Sequence, residues 1–370
     1  MKRIVVLGCT GSIGSQTLDI VRREKGMFRV VGLSAGSNGS KLDELCSEFD
    51  CKGTLFSRDG IEGIRRLLDE AQADIAVNGI AGAAGLRPSL LALQSGADLA
   101  LANKETVVMA WSLVKRTADR LSRQILPVDS EHFAIFSLIS KIGRESIDEI
   151  VITASGGPLR EYSAEQLERV TVADALKHPT WSMGKKITVD SATLANKGLE
   201  VIEACRLFDF PASKIKVVVH PQSLIHSLVR TKDGLLYAQI SEPDMRRPIW
   251  GALTWPRVMG NSLSPFDLAS CGAMTFFAPR FDAFPMLLMA FECARRGASY
   301  PIAFNAANEV AVEAFLQGRI PFPEIAGVTQ KTLQSDWSAR SDELDAILDA
   351  DRRARDKARA HLPAIVEGAL

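Results

Sequence analysis

Ile4-Val5-Val6-Leu7, followed by Gly8-Cys9-Thr10-Gly11-Ser12-Ile13-Gly14, decides the fold class of the first third of this chain. Consecutive apolar residues with no polar alternation describe a strand buried on both faces, as in parallel sheets. Glycines at 8, 11 and 14 then form a tight turn, and Thr17, Leu18, Ile20 and Val21 continue at helical spacing. A strand, a glycine turn and a helix in that order make a nucleotide loop, because glycines let backbone N–H groups approach a pyrophosphate at the helix N-terminus. The G-x-x-G-x-x-G spacing is a variant of the usual fingerprint, and by itself it fits a plain structural turn equally well.

Outward from this loop, residues 28–33, 75–77, 99–101 and 125–128 read as further short strands, with a helix around 89–94. Strands alternating with helices predict an α/β domain over residues 1–128, a Rossmann-like doubly wound parallel sheet. Residues 149–153, 216–220 and 235–240 read as strands of a different kind. The last two alternate more and are joined through polar turns such as Lys232-Asp233-Gly234, which predicts a central α+β domain over 129–260. Residues 261–285, rich in Pro, Ser and Phe, read as a linker. Helical periodicity over 286–296, 303–317 and 343–361 predicts a C-terminal helical bundle spanning 286–370.

Composition excludes several classes. Forty-four basic residues balance forty-four acidic ones, so no net field favours nucleic acid or an anionic membrane. None of the six cysteines forms a C-x-x-C pair, which predicts reduced thiols and a cytoplasmic protein. The start of the chain has too short an apolar run for a secretory signal. The most apolar stretch, 75–102, is broken by Asn78, Arg87, Gln94 and Asp98 and does not read as a membrane span.

The end of the second strand bears on cofactor choice. A carboxylate there would take both ribose hydroxyls of NAD. The sequence instead reads Ser34-Ala35-Gly36-Ser37-Asn38, small and uncharged, which favours NADPH unless the acid is displaced to Asp43. Asn78-Gly79-Ile80-Ala81-Gly82 is expected to line the same crevice.

Four further segments carry chemistry. Asp129 and Glu131 follow a strand, and in extended backbone residues two apart point the same way, giving a hard-oxygen site for Mg²⁺ or Mn²⁺. A solvated turn is the alternative. Asn196, Lys197 and Glu200 share one face of a helix through i,i+3 and i,i+4 spacing, either as a site or as a surface salt bridge. Ser155-Gly156-Gly157 offers a hydroxyl and exposed amides to a phosphate, or simply ends a strand. His178-Pro179-Thr180-Trp181-Ser182-Met183-Gly184 has the composition of a lid that shields a reaction from water.

Together these segments resemble the 1-deoxy-D-xylulose 5-phosphate reductoisomerase family. The matching strings are GCTGSIG at 8–14, ANKE at 102–105, PVDSEH at 127–132, SGGP at 155–158, HPTWSMG at 178–184, VDSAT at 189–193, NKGLE at 196–200, HPQS at 220–223, EPDMR at 242–246 and NAANE at 305–309. They occur in order along nearly the whole chain. The resemblance implies a homodimer that converts 1-deoxy-D-xylulose 5-phosphate to 2-C-methyl-D-erythritol 4-phosphate, an isoprenoid precursor, with NADPH and Mg²⁺ or Mn²⁺. It implies Asp129, Glu131 and Glu200 as metal ligands. Lys104, Ser130 and His178 would hold the substrate's reacting end, and Ser155, Ser191, Asn196 and Lys197 its phosphate. Thr10, Gly11, Ser12, Ile13, Gly36, Ser37, Asn38, Asn103, Glu105 and Gly184 would contact the cofactor, and His178, Trp181 and Met183 would belong to the lid. The match departs at Ser37, where some relatives carry lysine, leaving Arg58 as the nearby candidate for the 2′-phosphate. Other readings of the same residues are a different Rossmann reductase of phosphorylated or acidic substrates, or an NADPH-sensing regulator. Neither requires three carboxylates beside a phosphate-binding face.

Overall fold

The computed structural model describes residues 1–181 and 183–363. In chain order the elements are β1 (Lys2–Leu7), α1 (Ser12–Arg23), β2 (Phe28–Ala35), α2 (Gly39–Phe49), β3 (Lys52–Leu55), α3 (Phe56–Ala71), β4 (Ile75–Asn78), α4 (Leu86–Gln94), β5 (Asp98–Leu101), α5 (Lys104–Leu121), β6 (Ile125–Pro127) and α6 (Ser130–Ile142). There follow β7 (Ile147–Ala154), α7 (Ala164–Leu167), α8 (Val172–Ala175), α9 (Lys185–Ala192), α10 (Ala195–Leu207), β8 (Ile215–Val219), β9 (Ile225–Thr231), β10 (Leu236–Ile240), α11 (Arg246–Thr254), α12 (Pro285–Arg296), α13 (Tyr300–Leu316), α14 (Glu324–Leu333) and α15 (Leu344–Ala360).

The first of two compact units contains Met1–Val107, Trp111–Arg144 and Gln239–Cys271. Its strands are all parallel, in the order β3-β2-β1-β4-β5-β6. This is the doubly wound order, and its switch point lies between β1 and β4. Ile4, Val5, Val6 and Leu7 have no exposed surface, so the continuous apolar run of β1 is covered on both faces. One core cluster gathers Leu18 and Ile20 of α1, Leu42 and Leu45 of α2, and Ile249, Trp250 and Leu253 of α11. Trp250 meets Phe28 edge-on at 5.7 Å. Arg246 binds Asp19 of α1 at 2.9 Å and Asp244 at 2.7 Å, so the EPDMR string acts as a clamp.

The second unit contains Val108–Ala110, Glu145–Ala238 and the chain from Gly272 onward. Its sheet runs β10-β9-β7-β8, with β7 parallel to β8 and antiparallel to β9. Strand β9 is not legible as a strand in the sequence. Its His226, Ser227 and Thr231 are polar yet buried, which hides the strand's pattern. The 232–234 turn therefore joins β9 to β10 rather than linking the strands read on either side. The short β3, with only Thr54 buried, and α14 also go unread. Helices α10, α12 and α13 enclose Leu199, Ile202, Met286 and Phe304 in one cluster with Trp337. Between α11 and α12 no helix or strand forms, apart from an isolated pairing of Phe277 with Val219.

All six cysteines are free. Among the described residues, no helix is long and apolar enough to cross a membrane.

Candidate active site

In the first unit, the β1–α1 loop is shaped by contact rather than by side chains. A Cβ on Gly14 would lie 2.4 Å from the Gly8 carbonyl oxygen and 2.5 Å from the Cys9 Cα, so only glycine lets the helix begin this close to the strand. Gly11 is the N-cap of α1, with no side-chain cap bond and no acidic residue in the first turn. Its leading amides remain available to an anion at the positive end of the helix dipole. Thr10, Gly11 and Ser12 are exposed and Ile13 half-buried, as a ligand-facing loop requires.

The switch-point loop after β4 is locked by two buried asparagines. Asn78 donates to the Gly85 carbonyl at 2.9 Å and accepts from the Ile80 N–H at 3.1 Å. Asn103 donates to the carbonyls of Ile80 (2.7 Å) and Gly82 (2.8 Å) and to Glu105 Oε2 (2.9 Å), while its oxygen caps α5. Asn103 and Glu105 thus order the crevice wall. Gly36, Ser37 and Asn38 lie exposed after β2, and the Asn38 side chain caps α2 by accepting from Lys41 N–H at 3.1 Å.

Asp129 and Glu131 do not sit in extended backbone, which corrects the strand argument made for them. Asp129 is the N-cap of α6, accepting from the Glu131 and His132 N–H groups, and Glu131 lies in the first helical turn. The chain turns as soon as β6 ends because the Asp129 side chain satisfies the orphan amides. Both carboxylates are half-buried, against the solvated-turn alternative. Lys104 pairs with Asp129 Oδ2 at 3.1 Å, and its side chain is only 6% exposed. Ser130 donates to Glu131 at 2.6 Å. His132 is unassigned from sequence, yet its buried ring bonds Asp129 Oδ1 at 3.0 Å through Nδ1 and fixes that carboxylate. Its position three residues after a capping acid was the available signal.

In the second unit, α10 presents Asn196, Lys197 and Glu200 on one face as the spacing requires. Asn196 donates to Glu200 Oε1 at 2.5 Å, and Lys197 forms an ion pair with Glu200 Oε2. The side chains of Lys197 and Glu200 are 5% and 1% exposed, so this is no surface salt bridge. Burying such a pair is costly and rarely serves stability alone.

Ser155, Ser191 and His178 also come together. His178 Nε2 lies 3.1 Å from both serine hydroxyls. Its Nδ1 accepts from the N–H groups of Thr180 (3.1 Å) and Trp181 (2.9 Å). Nδ1 therefore carries the lone pair and Nε2 the proton, which defines a neutral ring. Burial, followed by the Arg160 charge, lowers the His178 pKa below its ordinary 6.5. Gly157, at φ +69°, sits so close to α9 that a Cβ would lie 2.5 Å from the Ser191 carbonyl oxygen. This contact brings the Ser155 loop to Ser191. Asp190, unassigned by sequence, is buried and binds Lys186 and Asn308, each at 2.8 Å, which anchors α9. Gly184 is the N-cap of α9, and the Trp181 ring lies 6.4 Å from His226. Met183 precedes that cap, and Ser182 of the expected lid is outside the described residues.

Comparison with known proteins gives a consistent result. A model described as the 1-deoxy-D-xylulose 5-phosphate reductoisomerase C-terminal domain matches residues 125–208. A DXP reductoisomerase C-terminal domain model matches 240–357, and a 1-deoxy-D-xylulose 5-phosphate reductoisomerase model matches 4–59 and 54–111. The chain is 47% identical to the 1-deoxy-D-xylulose 5-phosphate reductoisomerase of Treponema denticola over 99% of each sequence. It is 49% identical to that of Treponema pallidum over 97% of each. Among solved structures it is similar to a DOX-P reductoisomerase in complex with NADPH, fosmidomycin and magnesium, with TM-score 0.89 and 38% identity over 97% of this chain and 98% of that one. The Zymomonas mobilis enzyme in complex with NADPH matches with TM-score 0.87 and 38% identity over the same shares.

Proposed function

The chain belongs to the 1-deoxy-D-xylulose 5-phosphate reductoisomerase family, and from that premise we propose that it converts 1-deoxy-D-xylulose 5-phosphate to 2-C-methyl-D-erythritol 4-phosphate. The observation that carries this reading is the buried Asn196–Lys197–Glu200 face of α10, which joins a carboxylate to an amide and a cation. A plain dehydrogenase has no use for that combination.

The residues fit both required groups. The uncapped amides of α1 beside the β1–β4 switch point suit the pyrophosphate of NADPH. Asp129, Glu131 and Glu200 offer carboxylate oxygens to a hard divalent cation. Asp129 and Glu200 already hold lysine ammonium groups as internal counter-ions, which marks both as cation sites. A divalent cation held there would supply Lewis-acid polarisation of the substrate's keto and hydroxyl oxygens, and NADPH held at the glycine loop would supply hydride.

The protein's own groups do the rest. Lys197, Asn196, Ser155 and Ser191 hold the phosphate through one positive charge and short polar donors. Lys104 and Ser130 orient the oxygen-bearing carbons, and His132 keeps Asp129 in place. His178 donates through Nε2, while its Nδ1 holds the backbone of Thr180 and Trp181, so the ring couples the phosphate serines to the segment that excludes water. Residues 1–128 serve as the cofactor domain, 129–260 as the catalytic domain, 261–285 as linker and 286–370 as the helical domain, of which 364–370 lie outside the described residues.

The enzyme works in the cytoplasm as a homodimer. Support for the dimer comes from β10, an edge strand that exposes Leu236, Tyr237 and Ile240, with Leu235 beside it. Product identification by mass spectrometry tests the activity. The complete mixture should yield 2-C-methyl-D-erythritol 4-phosphate. NADPH oxidation that yields any other product would refute the reading.

A further inference from the structure

We infer that Arg58 is the residue that selects NADPH over NADH by binding the 2′-phosphate, an assignment that rests on the cofactor reading above. The loop after β2, where an adenosine ribose is received in this fold, contains no charged residue: Gly36, Ser37 and Asn38 are exposed, and the Asn38 side chain is engaged in capping α2. A phosphate arriving there needs a cation from another element.

Strand β3 supplies one. It pairs in parallel with β2, and Ala35 stands opposite Leu55, so the two strands end at the same level. The next four residues, 56–59, form a single turn that is separated from the rest of α3 by Gly60, whose φ of 56° and ψ of −157° break the helix. Only glycine takes that conformation readily. The Ser57 N–H donates to the Gly36 carbonyl at 2.9 Å, tying this turn directly to the β2 loop. Arg58 is the next residue.

Its guanidinium is already oriented. Nε and Nη2 donate to the two oxygens of Asp59 at 2.8 and 2.9 Å. Asp59 is itself anchored by the Thr54 hydroxyl at 3.0 Å and the Leu55 N–H at 3.1 Å. Two of the five N–H donors of Arg58 are used in this way, and the other three have no partner among the described residues. The Arg58 side chain is 68% exposed, whereas Asp59 is 18% exposed. An anchored carboxylate therefore holds a planar fork beside the ribose end of the site with donors to spare, the arrangement that suits a phosphate. The other nearby cation, Lys41 on α2, bonds Glu44 at 2.8 Å. Asp59 acts as the positioning residue for Arg58.

The test is a binding titration of the full-length protein without substrate. It follows nicotinamide fluorescence with NADPH and with NADH, and displacement of NADPH by 2′,5′-ADP. Arg58→Ala should weaken NADPH and 2′,5′-ADP by roughly 10- to 100-fold, the scale of a charge-assisted contact, and leave NADH unchanged. Arg58→Lys should recover part of the loss. A wild-type preference for NADPH that survives Arg58→Ala would overturn this inference alone. A wild-type protein that binds NADH as tightly as NADPH would overturn the cofactor reading and this inference with it.

Discussion

At the end of β1 the groups proposed to face a ligand are backbone amides on an exposed, uncharged glycine loop; on α10 they are Lys197 and Glu200, charged side chains almost wholly out of water. The first arrangement costs little to maintain, because amides at a helix start are unsatisfied in any case. The second buries two opposite charges, and each is tolerated only because the other is present. The difference teaches where each region is vulnerable. The glycine loop fails by steric intrusion, and the α10 face fails by loss of charge.

The largest effect is expected on α10. Glu200→Gln keeps shape but removes the charge that a hard cation needs, so metal-dependent turnover should fall by about two orders of magnitude or more, given that Lewis-acid stabilisation is worth several kcal/mol. NADPH affinity should be unchanged, which also certifies the fold. Lys197→Met should act mainly on KM for the sugar phosphate, by roughly 10- to 100-fold. Steady-state kinetics titrated separately with Mg²⁺ and substrate would show the split. Near-normal kinetics in both variants would reduce the pair to a structural salt bridge.

A smaller effect is expected from Gly14→Ala. The added methyl would press on the backbone of Gly8 and Cys9, and overpacking of this kind costs about 1–3 kcal/mol. NADPH binding should weaken by on the order of tenfold, while Mn²⁺ binding in the absence of cofactor stays at the wild-type value. Equal losses of both ligands would mean that the two regions are not independent.

The smallest effect concerns His178. Its pKa is depressed by burial and then by Arg160, so the neutral ring's contacts are present above the unfolded value and are lost as pH falls through the folded one. Tryptophan fluorescence of the ligand-free protein should therefore change only on acidification below 6.5, the ordinary histidine value, and the step should vanish in His178→Gln. A step above 6.5, or one that persists in the variant, would contradict the assigned tautomer.

The same contrast explains what sequence made legible. Backbone sites announce themselves through glycine spacing, and the α10 face through helical i,i+3 and i,i+4 spacing, so both were visible. Asp129 and Glu131 were picked out, but through strand geometry that the α6 cap replaces. The junction of His178 with Ser155 and Ser191 was not legible, since the resemblance set His178 at the reacting end and the serines at the phosphate; the serines lie 23 and 13 residues away and are brought in by the close contact of Gly157 with α9. Strand β9 stayed hidden because its buried positions carry polar side chains. Arg58 becomes specific only when the register of β2 and β3 places it beside Gly36.

The measurement that tests the account most directly is the initial rate of NADPH oxidation with each component omitted in turn. Oxidation should require 1-deoxy-D-xylulose 5-phosphate and Mg²⁺ or Mn²⁺ together, stop on rigorous chelation, and return when the metal is restored. NADPH consumption that continues without the sugar phosphate, or at full rate after chelation, would contradict it.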